Sequence, residues 1–147
     1  MRVNASGEAV GTELKPSAET HLHTLLYNRF PEVGAVLHSH SVAATVLSLA
    51  MGEELSFEQY ELLKAFNGVT THDTRFVVPI FENDQDIPRL ASIVSDYMDN
   101  HPPIHAFLVR GHGLYTWGSQ MKEALRHIEA LEFLFQCQLT MNGLKQA

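Results

Sequence analysis

A single cysteine, Cys137, stands in 147 residues. No intrachain disulfide framework can be built from it, and a reducing, cytoplasmic compartment is the expected one. Cys137 falls in an apolar helical stretch and is expected to be a buried structural thiol. Positive charge is also scarce, with 10 Lys and Arg against 17 Asp and Glu, for a formal charge of −7. That balance leaves no basic stripe for nucleic acid. No apolar run approaches the ~20 residues needed to cross a bilayer. The first residues, with Asn4, Ser6, Gly7 and Glu8, lack the apolar core of a signal peptide. Repeats and low-complexity tracts are missing too. What remains is a 45% hydrophobic chain of single-domain size, able to bury a core, that carries nine histidines.

The segment from Val3 to Leu14 reads as two short strands joined by a turn at Asn4-Ala5-Ser6-Gly7. Ser17 is expected to cap a helix with apolar Leu22, Leu25, Leu26 and Phe30, ended by Pro31. Val33 to His40 predicts a buried strand running into His38-Ser39-His40. Ser41 then caps a helix from Val42 to about Met51, apolar nearly all round and so expected deep in the core, with Gly52 as its stop. Phe57 to Phe66 reads as a further helix, terminated by Asn67-Gly68. A strand at Phe76–Ile80 precedes a helix from about Ile87 to Met98. Ala106–Val109 and Leu114–Trp117 form two strands meeting around Arg110-Gly111-His112-Gly113, and a last helix runs from Ser119 to about Met141.

Two His-x-His pairs occur, and geometry separates them. On a strand, residues two apart share one face at ~6.7 Å, so His38 and His40 can converge on one ion. On a helix, residues two apart point about 200° away from each other, so His21 and His23 cannot chelate together and are expected on the surface. The tripeptide His38-Ser39-His40 alone reads better as a hydrogen-bonded pair at a strand end, and metal binding needs a third ligand. His112, flanked by glycines at a strand bend, is one candidate; His72, beside Asp73, is a rival. His101, His105 and His127 have no neighbour at chelating spacing.

Three stretches in order, Lys15-Pro16-Ser17-Ala18-Glu19-Thr20, Ala35-Val36-Leu37-His38-Ser39-His40-Ser41 and Arg110-Gly111-His112-Gly113-Leu114-Tyr115-Thr116-Trp117-Gly118, resemble the class II aldolase superfamily. Tyr60-Glu61-Leu62-Leu63-Lys64 and Val77-Val78-Pro79-Ile80-Phe81-Glu82-Asn83 resemble most the branch that dehydrates methylthioribulose 1-phosphate in methionine salvage. The resemblance implies an α/β fold of three layers, α/β/α, around a mixed, largely antiparallel sheet. It implies one zinc per subunit held by His38, His40 and His112, a sugar-phosphate substrate, and a homotetramer with active sites near subunit boundaries. It places the whole chain, 1–147, in a single such domain. Members of the superfamily carry a further section with a Gly-Asn-Ser phosphate-binding motif before Lys-Pro-Ser, which this chain lacks. Ser17 is then the main phosphate contact.

The resemblance assigns the acid/base role to Glu61 and a substrate-lining position to Glu19, which is itself the acid/base position of the sugar-phosphate aldolases. Flanked by Tyr60 and Leu62-Leu63, Glu61 is expected to be partly buried, with a raised pKa. Phe57, Tyr60 and Phe81 are expected in the core, the alternative being an apolar pocket for the methylthio group. The resemblance leaves two other readings open: a sugar-phosphate aldolase or epimerase using the same zinc chemistry, and a non-catalytic interaction module on the same fold.

Overall fold

A computed structural model describes residues 1–145. Helix α1 (Thr20–Arg29) leads into β1 (Ala35–Ser39), α2 (Val42–Ala50) and β2 (Glu54–Phe57). After a 3₁₀ helix at Glu61–Ala65 come β3 (Phe76–Phe81), α3 (Ile87–Asn100), β4 (Ala106–Val109), β5 (Gly113–Gly118) and α4 (Met121–Leu144). The strands make one sheet in the order β1-β5-β4-β3-β2. β3 and β4 run parallel, and every other neighbouring pair is antiparallel.

Helices cover both faces, giving the expected three layers. On one side α1 and α3 bring Leu22, Leu26, Leu90 and Val94 onto Val36, Phe107, Tyr115 and Trp117. On the other, α2, α4 and the 3₁₀ helix set Ala43, Leu47, Leu63, Leu131 and Leu134 against Leu55, Val78, Leu108 and Leu114. Central β4 is buried at all four positions, as a strand covered on both faces must be.

Several expectations change at the local level. The Val3–Leu14 segment makes only an isolated bridge, Val3 to Ala9, around its turn. Glu19, not Ser17, precedes the first turn of α1; Ser17 Oγ accepts the Glu19 N–H at 3.3 Å. Ser41 caps α2 as predicted, accepting from Ala44 N–H. That helix is not deep, however: Val42, Val46 and Leu49 lie on an exposed face, while Ala43, Ala44 and Leu47 are buried. Apolar content marked α2 as a core element, but only one face of it meets the sheet.

The predicted helix Phe57–Phe66 is instead the end of β2 followed by the 3₁₀ turn. Gln59 stands at φ 64, outside helical space, and its N–H donates to His72 O at 3.0 Å. Helix α4 runs on through Asn142-Gly143 to Leu144. Cys137 is half-buried, not fully buried. Phe57 and Phe81 are in the core, with Tyr60 packed against it.

Candidate metal centre

β1 and β5 pair antiparallel with His38 opposite Tyr115 and Ser39 opposite Leu114. This register brings His38 near the C-terminal end of β1, and His40 just beyond it, against the turn that opens β5, carrying His112. The turn is tight: His112 N–H donates to Val109 O at 3.0 Å, and Gly111 N–H to Ser48 Oγ at 2.9 Å. Gly113 is required by the approach of the strands, because a Cβ there would stand 2.9 Å from the His40 ring and 3.0 Å from the His38 ring.

The three rings converge. Centroid separations are 4.6 Å for His38 and His40, 5.0 Å for His38 and His112, and 4.7 Å for His40 and His112. Nε2 of His38 lies 2.7 Å from Nε2 of His40. Glu19, delivered at the start of α1, joins them with its Oε1 3.0 Å from His112 Nε2 and 3.8 Å from His38 Nε2. One ligand atom from each of the four residues lies within 4.8 Å of all the others.

His38 is held through its Nδ1 and by stacking of its ring. Its Nδ1 lies 2.9 Å from the Leu114 carbonyl, which can only accept, so Nδ1 carries the proton and Nε2 turns a lone pair into the cluster. The ring stacks on Tyr115 at 4.1 Å, and Tyr115 stacks on Phe107 at 4.9 Å. Burial pushes the His38 imidazole below its ordinary value, against the opposing pull of the Leu114 bond and Glu19. The same desolvation raises the Tyr115 phenol. A neutral imidazole with a fixed tautomer, its lone pair aimed at two more imidazoles and a carboxylate, is the donor set a first-row divalent cation takes. The residues therefore fit the implied metal.

Ser17 lines a cavity of about 350 Å³ with Glu19 and His112. Glu61 lies elsewhere. Its side chain is 74% exposed and pairs with Lys64 at 2.6 Å. Hydrogen bonding from Lys64 holds the carboxyl below its ordinary value, which reverses the expected burial and raised pKa. It opens with Tyr60, Arg126 and Phe133 onto a groove beside α4. His72, the rival ligand, is half-exposed, stands 3.7 Å from Glu61, and is not in the cluster. His23 is not a free surface residue: it is half-buried, edge-on to Tyr115. His127 is buried, with its Nδ1–H given to Trp117 O at 2.7 Å. Glu19 as a neighbour of the imidazoles was not read from spacing; its place at the head of α1 depends on how that helix docks on β1.

The chain matches the Class II Aldolase and Adducin N-terminal domain family over residues 1–139. It is 57% identical over 145 residues to a methylthioribulose-1-phosphate dehydratase of Pseudomonas syringae pv. syringae, covering 98% of this chain and 71% of the relative. A relative of the same name from Methylococcus capsulatus is 52% identical over 146 residues, covering 99% and 71%. Among solved structures, YgbL of Escherichia coli superposes with TM-score 0.73 at 26% identity, over 95% of this chain and 63% of that one. L-fuculose-1-phosphate aldolase of Thermus thermophilus shares the fold, with TM-score 0.72 at 22% identity over 100% of this chain and 71% of that one. By sequence, sheet order and the histidine cluster at the β1–β5 junction, this chain belongs to the class II aldolase and adducin N-terminal domain family.

Proposed function

We propose that this chain dehydrates methylthioribulose 1-phosphate to the 2,3-diketo-5-methylthiopentyl 1-phosphate of methionine salvage, with zinc held by His38, His40 and His112. The observation that carries the reading is three imidazole nitrogens and the Glu19 carboxylate gathered within 4.8 Å. They lie on a chain 57% identical to a protein named for that reaction. Three histidines leaving further coordination positions open suit a catalytic zinc.

The substrate has a phosphate at carbon 1, a ketone at carbon 2 and hydroxyls at carbons 3 and 4. A bound divalent cation supplies Lewis-acid polarisation at the ketone, which makes the carbon-3 proton acidic. His38 offers a neutral Nε2 to the centre because Leu114 O holds the proton on Nδ1. The carbon-3 proton passes to a carboxylate, the electrons of that C–H bond form a double bond between carbons 2 and 3, and the ketone π pair moves onto its oxygen, from which it returns as the carbon 2–carbon 3 double bond shifts to carbons 3 and 4. The carbon-4 hydroxyl then departs as water, taking a proton from the carboxylic acid just formed, and the enol left behind tautomerises to the diketone. Ser17, on the cavity shared with Glu19 and His112, is the proposed phosphate contact.

Glu61 is the proposed carboxylate, supported by the Tyr60-Glu61-Leu62-Leu63-Lys64 stretch. In the single chain it faces a groove separate from the cluster. The assignment therefore goes with a homotetramer whose active sites lie at subunit boundaries, as the resemblance implies. Glu19 is the second reading, favoured by its 3.0 Å approach to His112.

Mass spectrometry of the product formed by zinc-loaded protein tests the reaction: a dehydrated diketone is expected, and carbon–carbon cleavage or unchanged substrate would overturn it. Glu61→Gln should lower turnover on the order of 100- to 10,000-fold. Full turnover in that variant would move the acid/base role to Glu19.

A further inference from the structure

The segment between β3 and α3 alternates acids with amides. Glu82 pairs with Arg110 at 2.6 Å. Asp84 accepts from the Arg89 guanidinium at 2.6 and 2.7 Å and from Asp86 N–H at 2.8 Å. Asp86 caps α3 by accepting from Arg89 N–H at 3.0 Å. Each acid is thus tied down by a charged partner or a helix end, which fixes the course of the segment.

Between them stand Asn83 and Gln85. Both are exposed, and their amides take no part in these bonds. Both border the cavity of about 350 Å³ that Ser17, Glu19 and His112 also line, so they face the route to the histidine cluster.

We propose that Asn83 and Gln85 are specificity-determining residues that hydrogen-bond the hydroxyl groups of a ketose phosphate in this cavity, an inference that rests on the dehydratase reading above. A carboxamide both donates and accepts without charge, which matches a hydroxyl group on both counts. The cavity lining contains no Lys or Arg, so charge does not recruit the phosphate to the rim where the amides stand. A carboxylate at either position would repel the phosphorylated ligand, and the three acids that flank the amides are each already engaged. The rim is held by its acids and reads by its amides.

Steady-state kinetics of the zinc-loaded full chain with methylthioribulose 1-phosphate tests the inference through Asn83→Ala and Gln85→Ala. Each should raise KM about three- to tenfold, the loss of one neutral hydrogen bond. With uniform binding lost, kcat should stay within about twofold. Zinc content and melting temperature should match the wild type, since both side chains are exposed. Asn83→Asp should raise KM further than Asn83→Ala, because it adds like charge near the phosphorylated ligand. An active wild type whose two alanine variants keep its KM would overturn the inference and leave the dehydratase reading intact. A KM change accompanied by loss of zinc or of melting temperature would also overturn it, by showing a structural role. A wild type that does not dehydrate this substrate would sink the functional reading and this inference together.

Discussion

His38 is tied to Leu114 across the β1–β5 ladder by a hydrogen bond of 2.9 Å from its Nδ1–H to the main-chain carbonyl. Because the acceptor is backbone, the tautomer of this ring is set by the sheet itself. The arrangement presents the His38 lone pair to a metal without a change of tautomer. His38→Ala, His40→Ala and His112→Ala should each lower affinity for zinc by more than about 100-fold, beyond the usual cost of losing an outer-shell partner. Metal per chain after exhaustive dialysis measures this. A His112→Ala variant that keeps a full complement would refute the three-histidine centre.

Gly113→Ala is expected to do comparable damage without replacing a ligand. The new methyl group would press on the rings of His38 and His40, at 3.0 and 2.9 Å, and on the main chain of Ser39. Overpacking of this kind costs about 1–3 kcal/mol. Chemical denaturation should show the loss of stability, and zinc titration should show weakened binding. Wild-type values in both would mean that the strands part more readily than their packing implies.

Arg110 fastens the turn below His112 to the end of α2. Its guanidinium donates to the carbonyls of Ser48, Met51 at 3.0 Å and Gly52 at 2.8 Å, while Nε pairs with Glu82 at 2.6 Å. A lysine cannot reproduce that fork. Arg110→Lys should therefore destabilise the fold by about 1–3 kcal/mol, through C-terminal carbonyls of α2 left without donors. Urea denaturation checks it, and an unchanged midpoint would count against the clamp.

Glu123 links stability to pH. Its carboxylate accepts from Ser119 N–H and Asn67 Nδ2, both at 2.5 Å. Hydrogen bonding from Ser119, ahead of that from Asn67, holds its pKa down to about 2, against an ordinary glutamate value of 4.5. A folded-state pKa below the unfolded one stabilises the native state above the unfolded value, and the contribution disappears as pH falls through the folded value. Glu123→Gln should thus cost about 2 kcal/mol near neutrality. The gap between variant and wild type should narrow as pH falls from about 5 to about 2. A gap independent of pH would rule out the carboxylate as its source.

The legible parts of this fold were those where a short-range pattern has one outcome. His38 and His40 are two apart on a strand, and strand geometry puts them on one face. Glycine on both sides of His112 marks a bend, and the bend is where β4 turns into β5. The resemblance unites these pieces. The misread parts depend on tertiary choice. Leu55 and Phe57 alternate with polar neighbours in β2, but four residues are too few to outvote the helical look of Glu61-Leu62-Leu63-Lys64. Gln59 at φ 64 breaks the run, and nothing in a glutamine announces that conformation. Val42, Val46 and Leu49 are as apolar as the buried side of α2, so composition cannot say which side the sheet covers. Glu19 reaches His112 through the docking angle of α1, a long-range property absent from local spacing.

The donors of the cluster are far apart in the chain, and the bond from His38 to Leu114 spans 76 residues. Closing so long a loop is entropically costly and late, because nothing rewards it until the intervening strands have paired. An ion can be captured at all four donors only by a chain in which β1 has paired with β5. Once captured, it staples edge strand β1 to β5, so metal should slow unfolding far more than it speeds folding.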